Sequence, residues 1–81
     1  MDYPKLAGCN TDDLVRALRK LGGFIISPGG KHRKATHIKT KKAWTIVTGT
    51  ILDKGYMWDF VRNYLQPLGF SEKEIFDVLW C

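Results

Sequence analysis

Leu14, Val15, Leu18 and Leu21 recur at the spacing of one helical face, and Asn10-Thr11-Asp12-Asp13 before them supplies an N-cap oxygen and first-turn acids that suit the helix dipole. The pattern predicts a first helix from about Asp12 to Leu21, with Arg19 and Lys20 in its last turn and Gly22-Gly23 as its stop. The period then changes. Phe24-Ile25-Ile26-Ser27 is short, apolar and β-branched, which predicts a strand followed by a turn at Pro28-Gly29-Gly30. From Lys34 to Thr40, the set Ala35, His37 and Lys39 alternates with Thr36, Ile38 and Thr40. Lys41-Lys42 separates this second strand from a third, Ala43 to Thr48, and the two read as a hairpin. Met57, Phe60, Val61, Tyr64, Leu65 and Leu68 restore the helical period and predict a second helix, stopped by Pro67 and Gly69. Ser71 with Glu74 three residues on forms a capping box for a short third helix, with Phe70 and Ile75 spaced as a hydrophobic staple and Ile75, Phe76, Val78 and Leu79 as its apolar contacts.

This order predicts an α+β fold, α-β-β-β-α, with a three-stranded antiparallel sheet against two helices and a short C-terminal helix. At 81 residues, 44% hydrophobic and 26% charged, the chain reads as one domain spanning 1–81. A domain of this size buries roughly 60% of the surface its unfolded chain exposes, so a binding partner adds materially to its stability. The longest apolar runs fall far short of the roughly 20 residues that span a bilayer. Met1-Asp2-Tyr3-Pro4-Lys5 carries an acid and no apolar core of a signal peptide, so the expected location is the cytoplasm, without membrane attachment. Cys9 and Cys81 show no paired spacing, and both are expected to be free thiols.

Charge changes the picture more than composition does. The formal net charge is +5, but from Leu14 through Leu52 there are nine basic residues and not one Asp or Glu. From Asp53 to Cys81 the balance is three cations against five acids, a net of −2. An acid-free basic stretch of that length is the electrostatic footprint of a polyanion, because phosphate neutralisation with counterion release dominates nucleic-acid affinity.

The segment Ser27 to Lys34 concentrates the candidate chemistry. It sets His32 beside Gly29, Gly30 and the cations Lys31, Arg33 and Lys34. Glycines let a backbone approach a phosphate, cations attract it, and histidine is the side chain matched to proton transfer near neutral pH. RNA carries its own nucleophile, so cleavage needs only a group to deprotonate the 2′-hydroxyl, charge to stabilise the phosphorane and a proton for the leaving 5′-oxygen. His32 is the candidate acid or base, and Lys31, Arg33 or Lys34 the candidate phosphorane clamp. Candidate RNA contacts are Gly30, Lys31, Arg33, Lys34, His37, Lys39, Lys41 and Lys42. His37 has two possible positions: on the basic surface with Lys39 if that side of the strand is open, or in the core if it is not. No Asp, Glu or Cys stands near the histidines at ligand spacing, so neither a metal nor another cofactor is expected. Trp44 on a strand has the chemistry to stack on a base, although aromatics in so small a domain mostly serve the core, and Trp80 is expected to cover the third helix.

The order of elements and the Gly30-Lys31-His32 turn resemble the HicA family of toxins, small mRNA interferases with a dsRNA-binding-domain-like fold. Leu14 to Leu21 with Gly22-Gly23-Phe24 looks like the family's first helix and its Gly-aromatic exit. Gly30-Lys31-His32 is similar to its glycine-X-histidine signature, and Lys54-Gly55 with Met57, Phe60, Val61 and Gly69-Phe70 is similar to its closing helix. The resemblance implies that His32 is the catalytic histidine of a metal-independent endoribonuclease acting on messenger RNA. It also implies a HicB-type antitoxin that masks this histidine, so that the chain is a monomer alone and part of a hetero-oligomer with the antitoxin. The chain departs from many family members in carrying Lys31 where they have a small hydroxyl residue. It also extends beyond their compact form through the acidic helix that opens at Ser71. Two other functions use the same charges: a non-catalytic RNA-binding module, and an interaction module for an acidic protein.

Overall fold

A computed structural model describes residues 4–29 and 32–81. Gly30 and Lys31, both candidate RNA contacts, lie outside the described residues.

Helix α1 spans Thr11–Leu21 and opens with a reciprocal capping box. The Asn10 side chain accepts from the Asp13 N–H at 2.8 Å, and the Asp13 carboxylate accepts from the Asn10 N–H at 3.0 Å. Strands β1 (Phe24–Gly29), β2 (His32–His37) and β3 (Ala43–Ile46) follow as an antiparallel meander with β2 in the centre. Helix α2 begins at Asp53, whose side chain caps the Tyr56 N–H at 3.2 Å. It is α-helical over Lys54–Asp59, π-helical over Phe60–Leu65 and 3-10 over Gln66–Leu68. Pro67 and the left-handed Gly69 (φ 107°) end it. Helix α3, Glu72–Val78, carries the Ser71–Glu74 capping box. The α+β layout read from the sequence is thus the fold.

The starts of β1 and β3 are those expected, and the other strand boundaries differ from the sequence reading. Strand β1 runs on through Pro28 and Gly29, because it is an edge strand and its outer side needs no N–H from the proline. Strand β2 starts at His32 and ends at His37, three residues short of Thr40, because the His37 carbonyl accepts from the Lys41 N–H at 2.7 Å and folds the chain into a turn. Strand β3 ends at Ile46 instead of Thr48. Beyond it the chain leaves the sheet to serve Thr11, whose hydroxyl donates to the Val47 carbonyl at 3.0 Å and accepts from the Gly49 N–H at 2.8 Å.

The core lies between the sheet and the helices. Leu14, Ala17 and Leu18 from α1, Ala35 and Ile46 from the sheet, and Met57, Phe60 and Leu65 from α2 have no exposed surface. Trp44 bridges the layers, with ring centroids 5.7 Å from Phe60 and 5.6 Å from Tyr64. Trp80, by contrast, is 60% exposed and does not cover α3 as expected; Phe76 and Ile75 hold that helix instead. No helix among the described residues is long and apolar enough to cross a membrane.

The cysteines are a correction. Cys9 and Cys81, expected to be free thiols, form a disulfide across 72 residues, with their Cα atoms 5.4 Å apart. Sequence spacing carried no sign of it, because the two ends meet only through the fold: the Leu6 N–H donates to the Cys81 carbonyl at 2.9 Å. By loop-closure entropy a bond closing a loop this long stabilises the fold by about 4 kcal/mol. Reduction with a thiol reagent is therefore expected to lower unfolding stability by about 2–5 kcal/mol, measured as a drop in the urea midpoint, and Cys9→Ser is expected to match the reduced protein.

Candidate nucleic-acid interface

Alternation along the paired strands sorts the sheet into two faces. The helix-facing set is Phe24, Ile26, Ala35, His37, Trp44 and Ile46, all buried or half-buried. Ile25, Ser27, Lys34, Ala43 and Thr45 form the other face and are exposed, with Thr36 half-covered among them. Past Ala35 toward the β1–β2 turn, however, the helices no longer enclose the strand. His32, Arg33 and Lys34 are three consecutive exposed residues, so both faces of the hairpin end are open there.

The alternation gives the three different aims. His32 and Lys34 share the open face, about 7 Å apart at the rise of a strand, while Arg33 points to the helix-facing side. There Arg33 lines a shallow groove with Ile26, Pro28 and Arg19 from the last turn of α1. Arg19 read in the sequence as a helix-terminal cation and one of the nine basic residues between Leu14 and Leu52, not as a candidate site residue. Its place opposite Arg33 depends on how α1 crosses β1, which no local pattern encodes. Among the described residues the only ion pair is Arg16 with Asp13, at 3.4 Å, so none of the described cations from Arg19 to Lys42 is neutralised by a described carboxylate.

The remaining candidates divide. Lys39, Lys41 and Lys42 are exposed, but they lie in and after the β2–β3 turn, at the far end of β2 from His32. Five residues of strand, about 17 Å, separate the two ends. They belong to a second basic cluster on the same sheet. Lys41 holds its turn with a left-handed backbone (φ 65°). His37 does not join either cluster. It is 9% exposed, packs 5.1 Å from the Phe24 ring, and its Nδ1 lies 2.9 Å from the Thr40 hydroxyl, with the Thr40 N–H also directed at it. The strand ends at His37, so the alternation that seemed to join it to Lys39 stops there, and the residue pins the β2–β3 turn to the core. Below it, Tyr64 donates to the Lys42 carbonyl at 2.9 Å, and that carbonyl also accepts from the His37 N–H at 2.8 Å. Burial pushes the Tyr64 phenol above its ordinary value, with the adjacent His37 backbone opposing the shift.

Trp44 is not a stacking platform but part of the core wall. Its Nε1 donates to the Tyr56 hydroxyl at 2.9 Å. That hydroxyl also accepts from the Val47 N–H at 3.2 Å and donates to the Thr45 carbonyl at 2.6 Å, so one phenol closes the open edge of β3. Among the described residues no group of three or more His, Cys, Asp or Glu side chains is placed to hold a metal ion.

Comparison with known proteins gave no match to a family model, to a curated protein or to a solved structure. The resemblance to HicA toxins therefore stands on the motif residues alone.

Tyr56→Phe removes a hydroxyl that satisfies two donors and one acceptor, and is expected to cost about 1–3 kcal/mol of stability. The urea midpoint reads this loss, and the emission of Trp44 is expected to shift as its indole N–H loses its partner.

Proposed function

We propose that this protein is an RNA-cleaving toxin of the HicA type whose active centre is the exposed end of the β1–β2 hairpin. The observation that carries this reading is the acid-free, unpaired cationic hairpin end, His32-Arg33-Lys34, open on both faces and free of a covering helix. A polyanion binds such an arm through its phosphates, and β-ribbons are an established way of presenting side chains to nucleic acid.

The chemistry follows from the aims of the side chains. With a phosphodiester laid on the open face, His32 takes the proton of the 2′-hydroxyl, and the 2′-oxygen attacks phosphorus. Lys34, on the same face, balances the added negative charge of the phosphorane; Arg33 points away and binds outside the reacting group. The bond to the 5′-oxygen breaks, the proton held by His32 returns to that oxygen, and a 2′,3′-cyclic phosphate is left. No metal enters this sequence of steps.

The HicA resemblance adds a cytoplasmic mRNA target and a HicB-type antitoxin that covers His32 in a hetero-oligomer. The basic cluster at Lys39, Lys41 and Lys42 extends the footprint along the sheet for either polyanion or acidic partner. A reducing cytoplasm opposes the Cys9–Cys81 bond, so in that compartment the fold rests on its core and on its partner.

The test is incubation of the chain and its His32→Ala variant with a long single-stranded RNA in chelator, read on a gel. Loss of a general acid–base is expected to slow cleavage about 10²–10⁴-fold while leaving a gel shift in place. Intact RNA with a shift in both samples would instead make the protein a non-catalytic RNA-binding module.

A further inference from the structure

Arg19 and Arg33 come from different elements, α1 and β2, yet they line one shallow groove whose other walls are Ile26 and Pro28. Both guanidinium groups are on exposed residues, and neither pairs with a carboxylate among the described residues. Two like charges brought to one groove repel each other, and the arrangement is relieved by an anion between them. Arginine presents a planar fork of donors that matches the oxygens of a phosphate, so a pair of them is suited to a phosphate group in particular. The groove has a second character that a bare phosphate would not use. Ile26 is half-buried, and Pro28, with no N–H to offer, gives a flat apolar surface beside it. Charge at the rim with an apolar floor suits a nucleotide unit, its phosphate held by the arginines and its sugar or base laid over Ile26 and Pro28.

We propose that this groove is a nucleotide seat for the same RNA, separate from the cleavage position. It rests on the reading that the hairpin binds RNA, and it adds a route for the strand. His32 and Arg33 are neighbours on β2 with opposite aims, so an RNA cut at His32 on the open face wraps around the β1 edge of the hairpin to reach Arg33 and Arg19 on the other. The hairpin then acts as a post around which the strand bends. Arg19 and Arg33 are binding residues and take no part in the bond-breaking step.

The experiment measures binding of a fluorescent single-stranded RNA by anisotropy in chelator, with His32→Ala as the parent so that the RNA stays intact. Arg19→Gln and Arg33→Gln are each expected to weaken binding several-fold and to reduce the slope of log affinity against log salt by about 0.7, one phosphate contact each. Arg19→Lys is expected to keep the slope and lose part of the affinity, because a lysine supplies the charge without the fork. Arg16→Gln, one turn earlier on α1 and ion-paired with Asp13, is the control and is expected to bind as the parent does. Melting curves matching the parent show that each variant is folded. An Arg19→Gln variant with the affinity and slope of the Arg16→Gln control would overturn the nucleotide seat and leave the RNA-binding reading intact. A parent that binds no RNA would overturn both.

Discussion

The fold depends on close packing over Ala35, the fully buried centre of the middle strand, flanked in register by Ile26 and Trp44. Ala35 contributes only a methyl group to this layer, and the large side chains that close it come from its neighbours: Trp44 against Phe60 and Tyr64, and Phe24 against Tyr64 and Phe70. On one side of Ala35 the strand is buried down to His37. On the other it emerges, and His32, Arg33 and Lys34 are exposed whatever face they point to. Burial along β2 thus passes from open surface at His32–Lys34 to the core at Ala35 and His37.

Much of this was legible in the sequence. The helical period of Met57 to Leu68, the Ser71–Glu74 box and the β-branched run at Phe24 gave the elements and their order, because each is written locally. What failed was non-local. The end of β2 at His37 depends on a turn closed by Lys41 and Lys42, so strand alternation carried too far joined Lys39 to the side of Ala35 and His37 and left His37 open between the basic surface and the core it occupies. The end of β3 is set by Thr11, far away in the chain. The Cys9–Cys81 bond needed knowledge of where the two ends meet, and Arg19 needed the crossing of α1 over the sheet. Trp44 shows the opposite case: its core role was the ordinary expectation for an aromatic in a small domain, and its indole hydrogen bond to Tyr56 bears that out.

Charge and stability are partitioned along the same line. The described basic residues from Leu14 to Leu52 lie on α1, β2 and the β2–β3 turn, while the acids after Asp53 fall on α2 and α3. In the proposed function this distribution draws a polyanion toward the sheet rather than toward α3. His32, Arg33 and Lys34 at the hairpin end are all exposed, the usual condition of a locally less stable segment.

The most direct measurement is a map of backbone amide shifts in the His32→Ala protein on titration with single-stranded RNA in chelator. The account predicts changes concentrated at Ser27–Gly29, His32–Lys34 and the last turn of α1, with smaller changes at Lys39–Lys42 and none on α3. Changes centred on α3, or no change at the hairpin at saturating RNA, would contradict it.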